Sequence, residues 1–360
     1  MTTEMIGDAI GKVADPLFEK TIAELGYVRN ISVDGAKATV ELVLPTPAHP
    51  DRAKLEDEIT AAAKAAGAQE VGLQVRAEVT QRVAGQGALG RVKNIIAVAA
   101  GKGGVGKSTV AVNLALALKS HGAQVGLLDA DVYGPSQPTM LGEPEIPAGQ
   151  LPDNRLRPAV YYGINVISPG FFVDPRGGVV WRGPMVGKLI EQFLFTVEWG
   201  ELDYLVVDLP PGTGDAQLSL AQKVPVTGAV MVTTPQEIAL IDVIKAVSMF
   251  QKVEIPILGV IENMSYYVCP GCGHQDDIFA RGGGALLAKE IKAPLFGEIP
   301  IDAKIRFGGD AGRPIVIGAP DSSHAMLFKR IAALVAGEVA RRNGPPSATA
   351  KRAAGLVQIR

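Results

Sequence analysis

Asn94-Ile95-Ile96-Ala97-Val98-Ala99-Ala100 runs directly into Gly101-Lys102-Gly103-Gly104-Val105-Gly106-Lys107-Ser108-Thr109, and Val110, Leu114, Ala117 and Leu118 follow at helical spacing. Strand, glycine-rich turn and helix in that order make a phosphate-binding loop. Its G-x-x-x-x-G-K-[ST] spacing frees backbone N–H groups to wrap a polyphosphate, while Lys107 adds a cation and the Ser108 hydroxyl can ligate Mg2+. The positive end of the helix dipole favours the same anion. Glycine-rich segments arise by chance in a chain with 42 glycines, but the strand before, the helix after and the full motif argue for ATP as ligand. Gly101, Lys102, Gly103, Gly104, Val105, Gly106, Lys107, Ser108 and Thr109 are the nucleotide-binding residues this stretch supplies.

Outward from the loop, short apolar runs recur at Asn94–Ala100, Gln124–Leu128, Ile164–Ser168, Tyr204–Val207, Gly228–Thr233 and Ile255–Ile261, mostly separated by helix-length segments. Runs of this kind fit strands buried on both faces of a parallel sheet. The fold class expected is α/β, a P-loop NTPase with a mostly parallel sheet flanked by helices, plus a small N-terminal α/β domain. Ligands of such folds bind at the carboxyl ends of the strands. Two acidic strand ends accompany the loop there, Leu127-Leu128-Asp129-Ala130-Asp131 and Leu205-Val206-Val207-Asp208. A carboxylate at a strand tip beside phosphates can hold Mg2+ or its waters, and Asp208 is the choice for that role through water. Gly212, in the Pro210-Pro211-Gly212-Thr213-Gly214 that follows, can present an N–H to a γ-phosphate.

Four segments are expected. Residues 1–80 read as the small domain: a helix-like stretch over 5–24 with a break at Pro16, a hairpin around Asp34-Gly35, a helix over 52–66 and a strand over Val71–Val75. Residues 81–92 read as a linker, 93–340 as the ATPase domain, and 341–360 as a disordered basic tail. Lys and Arg number 35 against 37 Asp and Glu, a net charge of −2, so no global field recruits nucleic acid or an anionic membrane. No signal peptide is read at the N-terminus and no run approaches the roughly 18 apolar residues of a membrane span. A cytoplasmic protein is expected.

The chain has two cysteines, Cys269 and Cys272, in Cys-Pro-Gly-Cys. A disulfide framework is excluded, leaving a zinc half-site, a redox pair or iron–sulfur ligation. Redox is the weakest of these, because Pro270-Gly271 argues for a loop. Zinc and a cubane cluster usually take four protein ligands, and two chains supply four thiolates. His274 could instead complete a strained Cys-Cys-His site within one chain.

Lys102 resembles the signature lysine of the deviant P-loop ATPases, the MinD, ParA, nitrogenase iron protein and Mrp group. That resemblance implies an ATP-sandwich homodimer in which Lys102 reaches the partner's nucleotide. It also assigns Asp131, with Asp129 as alternative, to orienting the attacking water, and Asn263 to the adenine edge. More specifically, GKGGVGKST, Trp181-Arg182-Gly183-Pro184-Met185, the segment from Trp199 through Asp208-Leu209-Pro210-Pro211-Gly212-Thr213-Gly214-Asp215, and Glu262-Asn263-Met264-Ser265 followed by Cys-Pro-Gly-Cys resemble the Mrp/ApbC family of iron–sulfur cluster carrier ATPases. The match covers about residues 93–335, and residues 1–80 resemble a small domain of other iron–sulfur assembly factors. The resemblance implies a slow ATPase whose catalytic residues are Lys102, Lys107 and Asp131. It further implies ATP and Mg2+ as cofactors, a [4Fe-4S] cluster on Cys269 and Cys272 bridging a homodimer, and apo iron–sulfur and scaffold proteins as partners. His49-Pro50 stands where that small domain often has a cysteine before proline, so thiol chemistry is not expected there; His49 could still ligate a metal, but is expected to be an ordinary surface-loop histidine. A MinD/ParA-type positioning ATPase and an ATPase dimer stapled by zinc are the alternatives.

Overall fold

A computed structural model describes residues 1–83, 87–172, 183–212 and 225–345. Trp181, Arg182, Thr213, Gly214, Asp215 and the end of the tail lie outside the described residues. The chain divides into two compact units, one comprising Met1–Thr80 with the chain from Ala336 onward, the other Gln81–Val335.

In the first unit, helix α1 (Thr3–Gly11) is capped by Thr2, whose Oγ1 accepts the Met5 N–H at 3.2 Å. The helix expected over 5–24 ends here, earlier than Pro16. The reason is tertiary: Pro16 forces the preceding residue into extended backbone, and Asp15 forms a short hairpin, β1 (Ala14–Asp15) with β2 (Lys20–Thr21). Asp15 is fully buried and accepts hydrogen bonds from Tyr27 Oη (2.7 Å), Leu17 N (2.8 Å) and His49 Nε2 (3.2 Å). Helix α2 (Ile22–Leu25) opens on a Thr21/Glu24 capping box. Then come β3 (Val28–Asp34), β4 (Lys37–Leu44), α3 (Arg52–Ala65) and β5 (Glu70–Ala77), a three-stranded sheet in the order β3-β4-β5. The turn at Gly35, with φ +58°, joins β3 to β4 as the sequence pattern predicts. Ile6, Ile10, Leu42, Leu55 and Ile59 form the core between helices and sheet.

His49 corrects its sequence reading. It is buried rather than on a surface loop, with Nδ1 accepting the Asp51 N–H at 3.2 Å and Nε2 donating to Asp15, so both ring nitrogens are occupied.

The second unit is built on β6 (Val92–Ala100), β7 (Val125–Asp129), β8 (Gly149–Gln150), β9 (Leu156–Arg157), β10 (Ala159–Tyr161), β11 (Ile164–Ile167), β12 (Leu202–Asp208), β13 (Gly228–Thr233), β14 (Ile257–Val268), β15 (Gln275–Asp276) and β16 (Leu295–Ile301). Its main sheet runs β10-β11-β7-β12-β6-β13-β14-β15, with β16 also on β14. All pairings from β11 to β14 and on to β16 are parallel; β10 and β15 are antiparallel edges. Helices α4 (Lys107–Ser120), α5 (Gln137–Leu141), α6 (Gly183–Thr196), α7 (Glu237–Lys252), α8 (Gly283–Glu290), α9 (Ala303–Asp310), α10 (Ile315–Gly318) and α11 (Ser323–Asn343) surround or follow it. The last of these continues two residues past Arg341, where the tail was expected to begin.

β6 is buried along almost its whole length, which is why it reads as an unbroken apolar run. After β6 the chain moves to β7 and β11, then returns past it through β12 to β13. The phosphate loop therefore emerges at the point where strand order reverses, between the carboxyl ends of β12 and β13. Among the described residues, no helix is long and apolar enough to cross a membrane.

Candidate functional site: a phosphate loop and a cysteine hairpin on one strand

The loop after β6 turns twice through left-handed backbone, at Gly104 (φ +81°) and Gly106 (φ +82°), conformations that favour glycine. Gly101 has no room for a Cβ, which would lie 2.2 Å from the Asp242 carbonyl carbon in α7; at Gly106 a Cβ would lie 2.2 Å from Asn263 Nδ2. The same Nδ2 donates to Val105 O at 2.8 Å. Asn263 does not follow its strand, as the sequence suggested, but lies within it, paired in register with Ile299 of β16.

Lys107 is 6% exposed and forms an ion pair with Asp208, which is fully buried. Its Nζ is also 3.7 Å from Asp131 and donates to Ser108 Oγ at 3.2 Å. Asp129 and Asp208 are register partners at the tips of β7 and β12. The three carboxylates differ in environment. Asp129 accepts from Asp131 N (3.1 Å), Gln137 N (3.3 Å) and Ser168 Oγ (2.8 Å), so it holds the turn after β7. Burial, and next the Asp208 charge, push its carboxyl up to about 8. Asp131 is less enclosed and faces Lys107; burial raises its pKa, with the Lys107 charge opposing.

Gln137, the first residue of α5, was not singled out by its sequence. Its Nε2 donates to Asp208 Oδ2 (2.8 Å) and to Ser108 O (3.1 Å), tying β12 to the phosphate loop. Lys102 is half-buried in the loop, Thr109 lies on the first turn of α4, and Gly212 (φ +97°) donates its N–H to Ala100 O at 3.2 Å. Beside Gly106, Thr109 and Asn263 opens a largely apolar cavity of about 900 Å3, continued by Met140, Pro300, Ile301 and Ile305. That is within the range of small-molecule pockets and leaves ample room for a nucleoside. Pro300 and Asp302 were also missed; Asp302 follows β16, another strand end, and caps α9 by accepting the Lys304 N–H at 2.7 Å.

Beyond Asn263, β14 carries on to Val268 and turns back through β15, pairing Tyr267 with Asp276 and Val268 with Gln275. Cys269 and Cys272 occupy this hairpin end, closed by Cys269 N–H to His274 O (2.9 Å) and Gly273 N–H to Cys269 O (2.8 Å). Both thiols are free, Cys272 exposed and Cys269 half-buried. Backbone N–H groups of Cys272 and then Gly271 point at Cys269 Sγ and lower its pKa, favouring thiolate. Among the described residues, no group of three or more His, Cys, Asp or Glu is arranged to hold a metal ion. His274 therefore does not complete a three-ligand site with the cysteines.

A parallel sheet with a lysine-bearing phosphate loop at its reversal point and carboxylates on the neighbouring strand ends defines a P-loop NTPase. The chain belongs to the family described as NUBPL iron-transfer P-loop NTPase, which matches residues 91–336, and residues 3–75 match the iron–sulfur cluster assembly protein family. Its relatives include the iron–sulfur cluster carrier protein of Synechocystis, 45% identical over 94% of this chain and 98% of the relative, and that of Escherichia coli K12, 43% identical over 93% and 92%. The iron–sulfur cluster transfer protein NUBPL of Dictyostelium discoideum is 51% identical over 67% of this chain and 75% of its own. Among solved structures, a nucleotide-binding protein of Archaeoglobus fulgidus in complex with ADP superposes with a TM-score of 0.58 at 38% identity, covering 67% of this chain and 94% of that one. The cell division ATPase MinD of Pyrococcus furiosus, at 24% identity and TM-score 0.51 over 67% and 98%, shares the fold.

Proposed function

We propose that this chain is a cytoplasmic, ATP-dependent iron–sulfur cluster carrier that holds a [4Fe-4S] cluster between two copies of itself and passes it to apo-proteins. The observation that carries this reading is the hairpin at the end of β14. It offers two free thiols, one primed as thiolate, in the turn that follows the strand whose Asn263 closes over the phosphate loop. Two thiolates are half of the four ligands a cubane cluster takes, and a second copy supplies the other half. The names of the Synechocystis and Escherichia coli relatives support an iron–sulfur cargo.

ATP is the other substrate, and the ADP complex of the Archaeoglobus protein supports its place at the loop. The N–H groups of residues 101–109 would wrap the phosphates, and Lys107 would exchange its contacts with Asp208 and Asp131 for phosphate oxygens. Lys102 has no carboxylate partner among the described residues and would reach the nucleotide of the second copy. The donor set fits Mg2+: a hydroxyl at Ser108 and a carboxylate at Asp208, with too few convergent side chains to strip the ion of water, which suits an ion that keeps several waters. Bound there, Mg2+ would offset charge on the β- and γ-phosphates. Asp131 would orient the attacking water, and Asn263 would meet the base at the cavity. Turnover is slow, because the protein works as a switch. Asn263 and Cys269 are joined by the end of β14, through a register irregularity at Met264 (φ +55°), and this short connection is the covalent path between loop and thiols.

Iron, sulfide and zinc measured per dimer after anoxic purification, with and without ATP, test the reading. About four iron and four sulfide per pair of chains are expected, lost on Cys269→Ser while ADP binding persists. Stoichiometric zinc without sulfide would replace the carrier by a zinc-stapled ATPase dimer.

A further inference from the structure

Gln137 carries an atom that the site as described leaves without a partner. Both hydrogens of its amide nitrogen are used, one on Asp208 Oδ2 and one on Ser108 O. That fixes the orientation of the amide, since a flip would set its oxygen against a carboxylate and a carbonyl. Among the described residues, Oε1 is then left buried with no hydrogen-bond donor, on a side chain that is fully enclosed. An orphaned buried acceptor costs about 1–3 kcal/mol, so a residue kept in this state calls for a donor that arrives from elsewhere.

Among the described residues no group is that donor: Lys107 is committed to Asp208, Asp131 and Ser108, the Gln137 backbone N–H is spent on Asp129, and the neighbouring Ser136 hydroxyl, itself buried without a partner, is not within hydrogen-bonding reach. The two residues that Gln137 grips are the ones suited to a hydrated divalent cation, Ser108 through its hydroxyl and Asp208 through its carboxylate. A water on such a cation is a strong, polarised donor.

We infer that Gln137 is a positioning residue for hydrated Mg2+: its Nε2 locks Asp208 against the phosphate loop, and its Oε1 accepts a hydrogen bond from a water of the ion's hydration shell. The inference rests on the nucleotide reading above and deepens it. Two physical consequences follow. Mg2+ binding satisfies the orphaned oxygen, so part of the coupling between metal and nucleotide passes through this one atom. Because the amide also donates to Ser108 O, the phosphate loop and the β12 carboxylate are aligned before the ion arrives.

The test is calorimetric ADP binding by the full-length protein, with 5 mM-range Mg2+ and with chelator, for the wild type, Gln137→Met and Gln137→Glu. Met keeps the length and volume of the side chain but has neither amide atom; Glu keeps an acceptor at the Oε1 position and loses the donors. The wild type should bind ADP more tightly with Mg2+. In Gln137→Met that gain should fall about tenfold, the worth of a hydrogen bond to a charged group, over and above any loss of affinity that the missing donors cause in chelator. Gln137→Glu should weaken ADP in chelator, by placing another negative charge beside Asp208, yet retain the gain from Mg2+. Equal loss with and without Mg2+ in Gln137→Met would mean that Gln137 only braces the loop, and would overturn the inference. A wild type that binds ADP with no response to Mg2+ overturns it while sparing the nucleotide site, whereas one that binds no nucleotide overturns both.

Discussion

Around Lys107 charged and polar side chains answer one another inside a single chain, whereas around Cys269 backbone N–H groups and the neighbouring Cys272 thiol are what answer it. The lysine meets Asp208, Asp131 and Ser108, Gln137 ties Asp208 to the loop, and Asp129 fastens the turn from Asp131 to Gln137. The thiols, in the turn just past the end of the strand that holds Asn263, stand at an open hairpin where backbone N–H groups and the Cys272 side chain meet Cys269. A site that must bind and release a polyanion needs its own charges in place beforehand, because they would otherwise be reorganised at each cycle. A site that takes half its ligands from a second molecule has to stay open until that molecule arrives.

The largest effect that would sharpen this contrast is on stability. Lys107→Ala leaves the fully buried Asp208 without its cation and should cost on the order of 3–5 kcal/mol, read as a lowered denaturation midpoint of the ATPase unit without nucleotide. Cys269→Ser with Cys272→Ser should shift the same midpoint by less than about 0.5 kcal/mol, as exposed substitutions do. Similar losses in the two variants would break the comparison. Next in size is Gly101→Ala. The new Cβ meets main chain of α7, which cannot swing aside as a side chain can, so a loss of about 1–3 kcal/mol is expected, together with ADP binding, and with the cysteines untouched.

Much of the contrast was legible in the amino-acid sequence, and the illegible part has definite causes. The strands flanking the loop read as apolar runs because both of their faces are covered. β14 was expected to stop at Ile261, since Glu262, Asn263 and Ser265 interrupt the run. They are nonetheless enclosed, because Glu262 accepts from Ser265 Oγ, Gly282 N and Gly284 N, and Asn263 spends its amide on Val105 O. That continuation leads from the nucleotide site to the turn that holds the thiols, and no local pattern announces it. β16 was hidden by Gly297, Glu298 and Pro300. Gln137 is one polar residue in a loop until β12 is folded beside it, and His49 reads as exposed until Asp15 and Asp51 close on its ring. For Asn263, Gln137 and His49 a buried polar group is explained by a partner distant in sequence, Val105, Asp208 and Asp15 respectively.

The carboxylates at the loop also predict a pH response of stability. The Asp129 carboxyl, raised to about 8 by burial and by Asp208, lies far above its unfolded value near 4. Between those limits the folded chain holds a proton that the unfolded chain releases, so this group's contribution is full below pH 4 and declines as pH rises to 8. Asp131, shifted the same way, adds to the decline. Denaturation midpoints taken from pH 5 to 8 without nucleotide should therefore fall in the wild type and flatten in Asp129→Asn. An unchanged slope in that variant would place the titration elsewhere.

The smallest effect tests whether the hairpin's backbone, rather than its side chains, shapes the thiol site. Gly273 sits at φ +73° and donates to Cys269 O, closing the turn that aims N–H groups at Cys269 Sγ. Alanine there meets no atom within 4 Å, so the cost is conformational only, about 1 kcal/mol for an L-residue in left-handed backbone. Global stability and ADP affinity should hardly move. If the turn sets the thiolate character of Cys269, the variant should show slower alkylation by iodoacetamide at pH 7 and a few-fold faster loss of reconstituted iron to a chelator. Alkylation and iron loss identical to the wild type would mean that the thiols are held by the second copy alone, and the division between a site complete in one chain and a site completed by two would then be sharper than the hairpin geometry implies.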